Sequence, residues 1–111
     1  MDDLELLWER VEKGEGPDIL IVPITNVIRA RLNQYEGKLG YWEKFHLAGA
    51  IANLTQSRTS CNASYWLRFS LRNIWKAGVP ASERDENYTP HDEAIEAFTY
   101  EMLLAEVDRA A

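Results

Sequence analysis

Between Asn62 and Gly78 the chain reads NASYWLRFSLRNIWKAG. Wound as a helix at about 100° per residue, Tyr65, Arg68, Phe69, Arg72 and Lys76 fall within about 100° of arc. Trp66 and Trp75 flank that face, while Leu67, Leu71 and Ile74 form an apolar stripe opposite. Cations interleaved with flat rings suit a polyanion, because the cations neutralise phosphates and the rings stack on bases. Arg58, just upstream, extends such a patch. The same residue types also suit a protein interface, where Trp, Tyr and Arg supply most of the anchoring energy. With Trp8 and Trp42 added, these nine residues are the candidate partner-binding set. A third reading competes with both. A helix apolar on two sides sits between neighbours, and its bases then pair with acids such as Asp92, Glu93, Glu96 and Glu101 of a last helix. Internal pairing is the first expectation.

Charge is sorted along the chain. Residues 1–16 carry six acids and two bases, residues 17–80 eight bases and three acids, and residues 81–111 nine acids and two bases. The net charge is -6 and the isoelectric point about 4.9. Nucleic-acid domains usually carry a basic surplus, so the balance favours a protein partner or self-association, with nucleic acid as the alternative. An acidic array over 81–111 that mimics DNA phosphates is a further alternative. Arg29, Arg31, Lys38 and Lys44 form a second basic group, expected to be scattered solvated charge.

Signs of catalysis are missing. The two histidines, His46 and His91, lack the companions a metal or acid–base site needs; Glu43, three residues before His46, is the nearest. Gly14-Glu15-Gly16 lacks phosphate-loop spacing and runs into Pro17. No serine nucleophile elbow occurs. Cys61 is alone, which removes an intrachain disulfide and any cysteine-based zinc site; a small core residue at a helix start is expected there. No cofactor, metal or enzymatic activity is expected. The acidic, helix-patterned start lacks the features of a secretion signal. Purely apolar runs reach only four residues, against about 20 for a membrane span. A cytoplasmic location is expected, and the glycosylation-type triplets at Asn53, Asn62 and Asn87 read as chance matches.

The elements that carry these residues are helical in period. A first helix over roughly 2–13 places Leu4, Leu7, Trp8 and Val11 on one face, and is able to dock at home or on a partner. A second over 18–36 contains Pro23, which predicts a kink; the alternative is an extended lead-in at 18–22. A third over 40–57 has a Leu47, Ile51, Leu54 stripe and a second stripe of Phe45, Ala48, Gly49 and Ala52. The fourth covers 61–77, with Ser60 or Asn62 as cap. Gly78 and Pro80 end it. A polar loop follows over 78–89, and Thr89 caps a fifth helix over 90–110 with Ile95, Phe98, Met102 and Leu103 as its core face.

The chain of 111 residues is thus expected to be one all-α domain, a compact five-helix bundle with helices 3 and 4 central. Its expected role is that of a small non-catalytic interaction or regulatory protein.

Overall fold

A computed structural model describes residues 2–111. The elements run α1 (Asp3–Glu12), α2 (Pro17–Tyr35), α3 (Tyr41–Thr59), α4 (Ala63–Ala77), α5 (Glu93–Glu96) and α6 (Tyr100–Ala110), with 3₁₀ turns at Ala81–Glu83 and Glu86–Tyr88. Among the described residues there is no strand, and no helix is long and apolar enough to cross a membrane. The all-α bundle stands, and α3 and α4 share its largest interface.

Local chemistry explains the ends of α1 and α2. Asp2 caps α1, its Oδ1 accepting from the Glu5 amide at 2.9 Å. Leu4, Leu7 and Val11 are buried against α2 and α4, so this helix docks on its own domain. Gly14, at φ +92°, turns the chain. Arg10 then clamps Glu15 through Nε at 2.9 Å and Nη2 at 2.8 Å. That hydrogen-bonded pairing holds the Glu15 carboxyl below its usual range. Pro17 opens α2, and the helix runs on through Pro23, so residues 18–22 are helical. Proline removes a donor to the Ile19 carbonyl, and Ile19 lies in the exposed first turns of the helix, where water can serve instead.

The core is a sheath around α3. Leu20, Ile24, Ile28 and Leu32 of α2, Leu47 and Leu54 of α3, Leu67 and Ile74 of α4, and Leu103 and Val107 of α6 are wholly buried. Small residues bring α3 and α4 together: a Cβ added to Gly49 would lie 3.2 Å from Nδ2 of Asn73. The second stripe of α3 is only half covered, and Ala52 is exposed.

The last expected helix is broken. α5 is a single turn capped by Asp92, not Thr89, whose Oδ1 accepts from the Ala94 amide at 2.9 Å. The chain leaves helical geometry at 97–99, and Thr99 caps α6 by accepting from the Met102 amide at 3.1 Å. A threonine hydroxyl offers the backbone a local partner in place of the helix ladder, which is why Thr can end one helix and start the next. The break resets the register. Leu103, Val107 and Ala110 are buried, while Met102, expected in the core, is exposed. Ile95 and Phe98 are half-buried over Phe45 and Ala48, leaving a groove of about 580 Å³ between α3, α5 and α6.

These positions fix two expected outcomes. Leu54→Ala lowers the unfolding free energy by about 2–5 kcal/mol, and Thr99→Ala by about 1 kcal/mol. Urea denaturation measures both, as a fall in midpoint at unchanged slope.

Candidate functional site

The outer face of α4 and the neighbouring edge of α1 form the candidate interface. Burial of Leu67, Ser70, Leu71 and Ile74 fixes the rotation of α4, so Tyr65, Arg68 and Arg72 must point to solvent. Tyr65 is 44% exposed and Trp75 61%. The rings interlock. The Tyr65 centroid is 4.6 Å from that of Phe69 and 5.1 Å from that of Trp66. The Arg72 guanidinium lies 5.7 Å from the Phe69 centroid, within cation–π range. Arg68 donates back to Ser64, to its carbonyl at 3.3 Å and its hydroxyl at 3.1 Å. Trp8, half-buried, donates its indole N–H to Glu12 at 2.7 Å. It closes a notch of about 270 Å³ lined also by Asn62, Tyr65, Arg68, Phe69 and Arg72. A second notch of about 280 Å³ runs on between Trp8, Arg72 and Trp75, with Asp2 and Glu5 also in its wall.

The expected internal pairing is absent. Among the described residues, none of Arg68, Arg72 and Lys76 makes a salt bridge. α6 packs on α2 and α3, and α5 lies along α3 rather than α4. Asp92, Glu93 and Glu96 are carried away with it. Arg58 instead donates to the carbonyls of Ala110, at 2.5 Å, and Ala111, at 2.7 Å, at the end of α6. That is where a helix presents negative charge.

The remaining candidates separate. Trp42 is only 5% exposed; its indole N–H donates to the Lys76 carbonyl at 2.7 Å, and the Arg84 guanidinium lies 5.5 Å from its ring centroid. It is a core residue that joins α3 to the end of α4. Trp66 is half-buried, donating to the Ser60 hydroxyl at 3.1 Å. Lys76 is half-buried and lines a different groove, with Tyr35, Trp75 and Asp85. Trp8, Tyr65, Trp66, Arg68, Phe69, Arg72 and Trp75 are therefore brought together, and Trp42 and Lys76 are not. Cys61 is exposed in the turn before α4, because the helix starts later than the sequence implies. The second basic group is not simply solvated: Arg29 bridges to Asp108 of α6 at 2.9 Å, and Lys44 donates to the Glu96 carbonyl at 2.9 Å.

A polar relay missed in the sequence crosses the α3–α4 interface. His46 is buried, and its Nδ1 lies 3.0 Å from Oδ1 of Asn73. Nδ2 of Asn73 donates to Oδ1 of Asn53 at 2.8 Å. With the Asn73 oxygen as acceptor, the His46 proton sits on Nδ1, which leaves Nε2 bare; it is buried without a hydrogen-bond partner. Burial pushes the ring below the usual imidazole range, and the nearby Lys76 and Arg84 charges push the same way, against the Asn73 hydrogen bond and the Asp85 charge. Glu43 turns to Arg84, at 2.9 Å, instead of joining His46. The rings of Trp42 and Phe45 wall the histidine in, with centroids 4.3 and 5.3 Å away. Such a relay holds a tautomer and a helix spacing. Among the described residues, no group of three or more His, Cys, Asp or Glu side chains is placed to hold a metal. The legible signal was asparagine at 53 and 73 beside apolar stripes.

Comparison with family models, curated proteins and solved structures yields no match to this chain.

The His46 geometry sets a pH dependence. The folded ring resists protonation while the unfolded ring accepts it near the ordinary value of about 6.5. The stability from neutral His46 is full above that value and falls as the pH drops through it toward the lowered folded value. Urea midpoints at neutral and mildly acid pH show a decline for the native chain, and a smaller one for His46→Gln.

Proposed function

We propose that this chain is a small, non-catalytic interaction protein of the cytoplasm that binds a protein partner through the outer face of α4 and Trp8. The observation that carries this reading is Trp75, a tryptophan 61% exposed that shares a notch with Arg72, which makes no salt bridge among the described residues. Leaving that ring in water forgoes the burial of apolar area. Tryptophan and arginine are the side chains whose burial anchors interfaces. Tyr65 and Phe69 extend the apolar strip, and the half-buried Trp8 gives it a wall. A non-catalytic role is supported by the one buried histidine, whose faces are occupied by Trp42, Phe45 and Asn73. The single unpaired cysteine suits a reducing compartment.

A photoreactive phenylalanine placed at position 75 tests the surface in cells, with one at exposed Val22 of α2 as the control. The expected result is a discrete protein adduct at 75 that disappears in Arg68→Glu/Arg72→Glu. Equal adducts at both positions, or none at 75, overturn the reading.

A second reading rests on the notch around Arg68 and Arg72, which pairs two cations with three rings and has no carboxylate among its lining residues. That combination fits single-stranded nucleic acid. Anisotropy with labelled DNA and RNA oligonucleotides then shows binding that weakens steeply with salt and is lost in the same double variant. No binding at low salt removes this alternative.

A further inference from the structure

Trp75 stands between two differently charged stretches of surface: the notch it shares with Arg72 also holds Asp2 and Glu5, and the charges part further to either side. On the N-terminal side is the notch of Arg68 and Arg72, which has no acidic lining residue. At a rise of about 1.5 Å per residue, these two arginines lie roughly 10 and 5 Å from Trp75 along the helix axis. On the C-terminal side, past the Gly78–Pro80 stop, Trp75 borders a groove of about 580 Å³. Its three carboxylates, Asp2, Glu83 and Asp85, outnumber its two cations, Arg31 and Lys76. The chain beyond is more acidic still. Residues 83–93 hold five carboxylates and one arginine, and that arginine, Arg84, is engaged by Glu43 and the Val79 carbonyl.

We propose that the partner of the α4 face is a second copy of this chain, docked with the two α4 helices antiparallel and crossing at Trp75. The inference rests on the reading of that face as the working surface. A two-fold axis through Trp75 reverses the helix direction. It sets Arg68 and Arg72 of each copy against Glu83 and Asp85 of the other, with the two Trp75 rings meeting at the centre. Such a contact is self-complementary and closes at two copies. Within one chain these charges do not meet; between two chains the contact is made twice, once by each copy's arginines. A net charge of -6 repels both a polyanion and a second copy at long range. The antiparallel arrangement offsets this locally by opposing unlike patches.

The test is sedimentation of the full chain over a concentration series at low and high salt. The native protein is expected to form a dimer whose dissociation constant rises with salt. Arg68→Glu/Arg72→Glu gives a monomer, and so does Glu83→Arg/Asp85→Arg, since each makes both patches alike in sign. An equimolar mixture of the two variants restores a dimer. Trp75→Ala weakens the native dimer about tenfold or more, with unchanged helical circular dichroism. The proposal is overturned by a native chain that stays monomeric throughout, by a dimer indifferent to both reversals, or by a mixture that stays monomeric. A monomer that binds oligonucleotide through Arg68 and Arg72 overturns it in favour of nucleic acid. A monomer whose position 75 still cross-links to a different protein overturns self-pairing alone and leaves the interaction surface in place.

Discussion

The Ser70 hydroxyl donates to the Ala50 carbonyl at 2.9 Å, both groups being buried. It does so where α3 and α4 present little side-chain bulk to each other, at Gly49, Ala50 and Ser70. This close approach governs the bundle. It sets the rotation of α4, and so decides that Leu67, Leu71 and Ile74 face inward and the arginines outward. It gives Asn73 a helix surface to reach across, which places the relay to His46 and Asn53. It also brings the end of α4 within reach of the Trp42 indole, which binds the Lys76 carbonyl. A larger residue at 49 would meet the Asn73 amide and part the helices where these contacts form.

Charge is handled by separation more than by neutralisation. Besides the Arg109–Glu106 pair within α6, the ion pairs among the described residues tie particular elements: Arg10 to Glu15 across a turn, Arg29 to Asp108 between α2 and α6, and Arg84 to Glu43 between loop and α3. Only the last is largely withdrawn from water on both sides. Surface pairs contribute little stability, and their use here is to set where chains lie. The cations of α4 take no part, so the face that sequence spacing assembles survives folding with its charge intact.

Helix identity was largely legible because apolar spacing records burial directly. Leu4, Leu7 and Val11, or Leu67, Leu71 and Ile74, declare one face each. The last helix was misread for a physical reason. Phe98 and Met102 continue a plausible stripe through Thr99, and periodicity does not register a cap that competes for the same amide. The pairing error has its own cause: spacing does not say which helix a neighbour packs on, and α5 and α6 lie on α3 and α2 rather than α4. The candidate site was legible where residues share one helix, as Tyr65, Arg68, Phe69 and Arg72 do. It was illegible where burial depends on a distant element: Trp42 and Trp75 look alike in sequence, yet one is buried and the other open.

The segment between α4 and α6 is fastened in a particular way. Tyr41 donates to the Pro90 carbonyl at 2.8 Å and accepts from the Asp92 amide at 2.7 Å, and Lys44 donates to the Glu96 carbonyl at 2.9 Å. These anchors hold the segment by its main chain, which every residue type supplies. The fold therefore constrains Tyr41 and Lys44 far more than it constrains the side chains between 85 and 96. Apart from His91 stacked on Tyr41, the capping Asp92 and the half-buried Ile95, those side chains, Tyr88 at 84% exposure among them, are free to drift over evolutionary time without loss of the bundle. Where they keep their acidic character across descendants of this chain, selection is acting on something outside the fold.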